Sequence, residues 1–487
     1  MSGLKSVGVS VVSSLFWFVL QGCKPPAITF PPSPIRQDPG QLDFDTDNDG
    51  KADFFCLINQ AGRIDRIAYD RNADGEPDEI INLDAIAPQH CRHLVIVLDG
   101  FPYDVVREFY QAGHLRMFHP PAVVIPPYPV MTDLALEDAF GYIPCEGIEA
   151  KYYDRKKGRI VGGTWDYLAG KNEPFVKIID YRGPTLNDAF LYLYPKAMFE
   201  KEINEVKRIW DRREGAETVV YLVSSAGLGS RMAKEGEIYA LKRCEQLIYQ
   251  ILFETHGLVK ITMFADHGQT NITCKSAKLD EYLKSKGYHL TDRLRGDNDV
   301  VLIKFGLVTS AALNTRNPAK LADDLVENDK VKLVSYVQGS DVIVCSKDGK
   351  ARIKSTDGET FQYEPISGDP LKLADIAKGQ VSGREILKLT ADGKHEYPDA
   401  LYRLWRAHFC LVENPPDVIV SLDDHYYNGA AAFAGAVTMA STHGGLNWAN
   451  SATFIMSTAG KIAGPIRSED IPLIVGKFFK RAFPANK

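Results

Sequence analysis

Residues 260–270, KITMFADHGQT, decide how the chain is read. With Val259 they begin with seven mainly apolar residues, VKITMFA, followed by Asp266, His267 and a glycine. A short apolar run bounded by a turn residue reads as a buried strand. An acid and an imidazole at its mouth are either a polar strand end or part of a site. The pattern recurs along the chain. HLVIVLD (93–99) is a buried strand that closes on Asp99. AVVIP (122–126) is a second strand, followed by YPVMTDLAL, where a helix is expected to begin near Thr132. TVVYLVSS (218–225) is a third, before an amphipathic helix from about Gly236 to His256, and VKITMFA is the fourth. DVIVSL (417–422) and ATFIMST (452–458) come later, and a closing helix is expected near 469–481.

Strands alternating with helices predict an α/β sandwich around a largely parallel sheet. Residues 299–366 break that rhythm with alternating segments around one helix. They predict a small antiparallel insertion over the site. In open parallel sheets, ligands lie beyond the carboxyl ends of the strands. Asp99, Asp266 and His267 close such strands, Thr132 follows another, and His443 stands in ASTHGGLN just before the last. Carboxylates with imidazoles suit zinc, or manganese in its place, better than calcium. A divalent cation beside Thr132 would make its hydroxyl a usable nucleophile.

At 487 residues the chain has room for two or three domains, taking roughly 150 residues for each. Hydrophobic content of 45% and charged content of 25% are ordinary for a globular protein. A net charge of −6 gives no nucleic-acid-binding footprint. The eight cysteines include no CxxC pair. Lys5 precedes VGVSVVSSLFWFVL, about the length of a signal-peptide core and short of the roughly 20 residues of a membrane span. LQGC (20–23) resembles a bacterial lipobox, although Gln21 is not the usual small residue there. That resemblance implies residues 1–22 as signal peptide and a lipid on Cys23. It places the mature protein in the cell envelope, at the periplasmic face of the outer membrane or the cell surface. Residues 23–40 hold six prolines and read as a semi-rigid spacer.

Residues 41–89 carry a repeat. DTDNDGKAD (45–53) returns 25 residues later as DRNADGEPD (70–78), and Gly50, Gly62 and Gly75 each precede a short apolar segment. The two acidic loops resemble EF-hand-type calcium loops, with glycine at the sixth position. Asp45, Asp47, Asp49 and Asp53 would supply oxygens in the first, and Asp70, Asn72, Asp74 and Asp78 in the second. The glutamate usual at position 12 is replaced by Cys56 and Ile81, so Asn59 and Asp84 are the candidates for the missing oxygen.

From residue 90 onward the chain resembles the alkaline phosphatase superfamily, most closely its nucleotide pyrophosphatase/phosphodiesterase branch. VIVLDG, the threonine after a proline-rich turn, ADHG and THGG carry the resemblance, in family order over roughly 92–270 and 415–480. It implies a three-layer sandwich with a mostly parallel sheet and a phosphate-ester substrate. Thr132 would be the nucleophile, Asp99, Asp266 and His267 would share one metal with it, and His443 would belong to a second. The family's DxxGH element is AGLGS here, with Ala226 and Ser230 at the ligand positions, and Ala135 stands where the family often places an asparagine. One or two ions are therefore expected. Asp423, Asp424 and His425 in SLDDHYY are candidate substitute ligands, and Arg231 a candidate substitute charge. Two functions remain open: a phosphoric ester hydrolase, or a catalytically silent binding or surface protein of the same fold.

Overall fold

The computed structural model describes residues 25–168, 173–185, 188–430 and 438–476. The signal segment, Cys23 and the far end of the closing helix lie outside them. Among the described residues the central sheet has seven strands: β1 (Arg92–Leu98), β2 (Ala122–Ile125), β3 (Tyr181–Arg182), β4 (Glu217–Leu222), β5 (Val259–Ala265), β6 (Thr453–Ser457) and β7 (Ile466–Arg467). Their order is β3-β4-β1-β5-β6-β2-β7. The run β3-β4-β1-β5 is parallel, β6 opposes both of its neighbours, and β7 is parallel to β2. Strands buried on both faces read as continuous apolar runs, which is why β1 and β5 stand out in the sequence.

Four helices matter for the site: α1 (Tyr103–Gln111), α2 (Thr132–Phe140), α3 (Pro195–Arg212) and α4 (Ser224–Glu254). Leu94, Ile96, Ile261 and Met263 pack with α1, α3 and α4 on one face of the sheet. Val95, Val97, Val219 and Phe264 pack with α2 on the other. Helix α4 starts earlier than the amphipathic pattern suggests. It is broken at Ala233 (φ 48°, ψ −141°), and AGLGS forms its first turns.

The expected small insertion is larger in the structure. A second sheet has nine strands, from His289–Leu290 to Gln380–Ser382. Its centre is Val418–Leu422, hydrogen-bonded between Ser310–Thr315 and Val331–Gln338. DVIVSL is therefore not a strand of the central sheet. An apolar β-branched run fits the middle of either sheet, and its pairing is decided by distant segments.

The N-terminal repeat folds as a five-stranded antiparallel meander: Arg36–Asp38, Gln41–Phe44, Phe54–Ile58, Ile64–Tyr69 and Glu79–Asn82. Both acidic loops turn at the same edge, where Asp70 N donates to Asp53 O at 3.1 Å. The described part of the proline-rich stretch is not a free spacer. Ile28 and Phe30 are buried, Ala27 N donates to Asn204 Oδ1 on α3 (2.7 Å), and Thr29 N to Gln250 Oε1 on α4 (2.9 Å). Phe30, Phe44, Phe54 and Tyr69 close an aromatic cluster with Tyr249 and Phe253 of α4. The seven cysteines of the described residues are all free thiols.

Phe54 is fully buried at the centre of that cluster. Phe54→Ala should cost about 3–5 kcal/mol. It should open residues 25–85 to protease before the rest of the chain. A mutant whose cleavage pattern and melting temperature match the wild type would contradict the aromatic dock.

Candidate functional site

Register builds the site. In the parallel pairing of β1 with β5, Leu98 lies opposite Ala265, so Asp99 and Asp266 leave the sheet side by side. The reversed β6 pairs Ile455 with Phe264 and Thr453 with Val124. The segment before β6 and the segment after β2 therefore come to this same edge. That is how His443, which precedes a strand, and Thr132, which follows one, reach the two acids.

Single oxygen or nitrogen atoms of Asp99, Asp266 and His267 all lie within 4.8 Å of one another, and all three residues are buried. Thr132 Oγ1 is 3.1 Å from His267 Nε2. Asp266 Oδ1 accepts from the backbone N–H groups of Gly100 and His267, each at 2.8 Å. Its other oxygen, Oδ2, is buried with no hydrogen-bond donor, 3.3 Å from His267 Nε2. His267 Nδ1 faces Gly268 O at 2.9 Å; a carbonyl only accepts, so Nδ1 carries the hydrogen and Nε2 a lone pair. Two acceptors thus face each other. The Thr132 hydroxyl, with one hydrogen, can satisfy only one of them. A cation satisfies both, so the residues fit a metal. Two carboxylates, an imidazole and a hydroxyl are a donor set for zinc or manganese.

Burial pushes His267 down to about 4 and His443 down to about 3, so both imidazoles are neutral near pH 7. A group with a pKa near 4 is a weak general base at neutral pH, and a neutral imidazole is a metal ligand. Burial raises Asp266 to about 6. His443 Nδ1 donates to Val130 O at 2.9 Å, and its ring stacks on His267 at 3.9 Å. It flanks the converging three and is not one of them.

Several supporting residues carry no signal of their own in the sequence. Tyr221 of β4 donates its hydroxyl to Asp99 Oδ2 at 2.5 Å. Ser225, at the start of α4, receives the Asp99 N–H at 2.7 Å and donates to Asp99 O at 2.9 Å. Tyr221 reads as one more residue of a buried strand; only the pairing of β4 with β1 aims it at Asp99. Gly100 has φ +67°, and a side chain there would run into Gln269. That glycine lets the backbone turn its N–H to Asp266.

The substitute ligands have other work. Asp424 accepts from Asn447 and Asn450, which brace the loop after His443. Asp423 pairs with His425 (2.7 Å) and Lys332 (3.3 Å). Arg231 donates to Thr438 O. Ala135 is fully buried in α2. Asn59 caps its own turn and Asp84 pairs with Arg63, so neither completes a calcium loop. Asp45, Asp47 and Asp49 do converge within 4.8 Å. Asp45 accepts from Gly50 N (2.8 Å), as Asp70 does from Gly75 N (2.6 Å). Asp53 and Asp78 close the two loops by accepting from Thr46 N and Arg71 N. Asn72 and Asp74 lie exposed on the second.

No protein-family model matches the sequence, and no curated protein matches it. Among solved structures, murine ectonucleotide pyrophosphatase / phosphodiesterase 5 is 11% identical, with 81% of this chain and 97% of that chain covered at a TM-score of 0.43. The human protein of the same name is 12% identical, with 81% and 96% covered at a TM-score of 0.43.

The pH dependence of the centre should be read on metal affinity, because two effects on stability oppose each other. The raised Asp266 removes stability as pH rises from 3.8 to about 6, and the depressed His267 restores it from about 4 to 6.5. For the metal, the Asp266 proton competes near neutrality. Affinity should rise about tenfold per pH unit up to about pH 6 and then level off. Asp266→Asn should abolish that dependence together with most of the binding. Calorimetry with zinc between pH 5 and 8 checks both, and a flat profile in the wild type would contradict the assignment.

Proposed function

We propose that this protein is a metal-dependent phosphoric ester hydrolase with Thr132 as its nucleophile. The observation that carries the proposal is the pair of buried acceptors, Asp266 Oδ2 and His267 Nε2, meeting beside the Thr132 hydroxyl without a donor for both. The sequence resemblance set out above gives the reaction type. When bound, a divalent cation supplies Lewis acidity, lowering the hydroxyl pKa and offsetting charge on the phosphoryl oxygens. Asp99, Asp266 and His267 would hold it. Tyr221 orients Asp99, and the Gly268 carbonyl fixes the His267 tautomer. Thr132 is the first residue of α2, whose first-turn N–H groups favour an anion. The Thr132 hydroxyl gives its proton to water as its oxygen bonds to phosphorus and the ester P–O bond breaks, and the departing alkoxide takes a proton from water. Water then hydrolyses the phosphothreonine.

A second reading, a binding protein without turnover, draws on Ala226 and Ser230. At the first turns of α4 they leave His443 without the two partners that a second ion needs, so leaving-group stabilisation is weak. Slow turnover, biased toward good leaving groups, is therefore expected. An activated aryl phosphate or phosphodiester should be hydrolysed in a metal-dependent way, and Thr132→Ala should lower the rate by at least about a thousandfold. The variant should keep its fold and most of its metal. A wild-type protein with stoichiometric metal and no turnover above Thr132→Ala would put the binding reading in its place.

The N-terminal part completes the proposal. Export with a lipid on Cys23 would tether the hydrolase to the cell envelope, and mass spectrometry of the mature N-terminus that finds no diacylglyceryl group would remove that part. Among the described residues no helix is long and apolar enough to cross a membrane. Calcium in the two acidic loops would neutralise the Asp45–Asp47–Asp49 cluster and stiffen the meander edge. With Cys56 and Ile81 at position 12, binding should be weak, in the roughly 10⁻⁴–10⁻³ M range of extracellular modules. Calcium at several millimolar should slow proteolysis of residues 41–84; an unchanged rate would dismiss the ion.

A further inference from the structure

A second feature shares helix α2 with Thr132. A cavity of about 160 Å³ is lined by Asp133, Glu137, Glu146 and Glu149, with Tyr142 among the remaining wall residues. Asp133 follows Thr132 in the chain. Asp133 and Glu137 are four residues apart on α2 and share a face. Glu149 accepts from Gly306 N at 2.7 Å, and Glu146 from the Tyr152 hydroxyl at 2.9 Å. Glu137 Oε1 accepts from Phe175 N at 3.3 Å. Glu137 is 1% exposed, and its Oε2 is buried without a partner. Among the described residues the cations nearby stand outside the lining. Arg182 is held by Glu173 at 3.2 Å, and Lys177 and Lys151 act on Glu137 and Glu149 without lining the space. Burial and neighbouring acids raise Glu137 to about 9, and burial raises Glu149 to about 7. At about 9, Glu137 is protonated near pH 7 and ionises only beside a cation, so the four acids around this void, one with a bare buried oxygen, favour a positively charged guest.

Size and spacing select the kind of cation. Among the described residues acidic groups converge within 4.8 Å in two places, and this cavity is neither. No three of its acids bring ligand atoms within 4.8 Å of one another, as a bare ion held by three carboxylates would require. The volume is that of a small organic group, several times the roughly 30 Å³ of a water. Among the described lining residues Tyr142 is the single six-membered ring, and one ring does not make an aromatic cage for a quaternary ammonium. Carboxylate oxygens call for N–H donors.

We propose that this cavity binds a primary ammonium group carried by the phosphate ester whose phosphorus reaches Thr132. The substrate class is then an aminoalkyl phosphate ester, zwitterionic, with its two charges divided between the metal centre and the acidic cavity. The phosphate half of this inference rests on the hydrolase reading; the ammonium half does not.

The test is calorimetry on the purified full chain with non-hydrolysable probes: 2-aminoethylphosphonate, 2-hydroxyethylphosphonate, and n-propylammonium alone. The aminoethyl probe should bind at least about tenfold more tightly than the hydroxyethyl probe, the scale of a charge-assisted hydrogen bond. In Glu137→Gln, with folding checked by thermal melting, that preference should fall below about threefold; Glu149→Gln serves if the first variant does not fold. Equal binding of the two phosphonates by the wild type overturns the inference and leaves the hydrolase reading standing. So does a preference that both variants retain. If neither phosphonate binds, n-propylammonium decides. Saturable binding lost in Glu137→Gln supports the ammonium site while the hydrolase reading fails, and no binding overturns the site.

Discussion

The parallel pairing of β1 with β5 is the constraint on which the site depends. It sets Leu98 opposite Ala265 and so brings Asp99 and Asp266 out of the sheet together, into a place little exposed to solvent. At the 4.8 Å limit on their oxygens, two unit charges repel by roughly 3 kcal/mol at an effective dielectric of 20. The surroundings counter only part of this. Gly100 and His267 N–H groups hold one oxygen of Asp266, and Tyr221 one of Asp99. What remains is a carboxylate oxygen aimed at an imidazole lone pair, and that geometry gives the edge its affinity for a cation.

The rest of the architecture keeps that edge in place. Reversing β6 turns the 443–452 segment toward the carboxyl ends of β1 and β5, which a fully parallel sheet would not do. The second sheet then holds the segment from behind. Thr309 N donates to His443 O at 2.7 Å, and Thr309 Oγ1 to Asn450 Oδ1 at 2.7 Å. Asp424, at the end of the strand in the middle of that sheet, accepts from the same Asn450. The acids of SLDDHYY thus serve the site by positioning a loop. The nine-stranded sheet is a wall for the His443 loop.

Charge is unevenly distributed around Thr132. On one side stand the residues suited to a metal and a phosphoryl group. On the other, along α2, stand the half-buried Asp133 and the buried Glu137, with no cation among the described lining residues. A protein that handled simple phosphate anions would be poorly served by that second side, because carboxylates repel phosphate oxygens. The asymmetry is understandable if the ligand carries both signs of charge.

Much of this was legible in the sequence, for a physical reason. Residues 93–99 and 259–265 are buried on both faces, so they must be apolar throughout, and any acid or histidine at their ends is conspicuous. The acidic repeat was equally visible, because tight turns of that kind need Asp, Asn and Gly at fixed spacing. What the sequence left open is what pairing decides. Residues 417–422 have the composition of any buried strand, and only their hydrogen-bond partners place them in the second sheet. Tyr221 and Ser225 are ordinary in a strand and a helix start until β4 lies against β1. Nothing in the sequence singles out Asp133 and Glu137, because residues 142–149 and 174 meet α2 only in the tertiary structure. Local chemistry determined which residues could act; the strand register and the crossing of distant segments decided which of them meet.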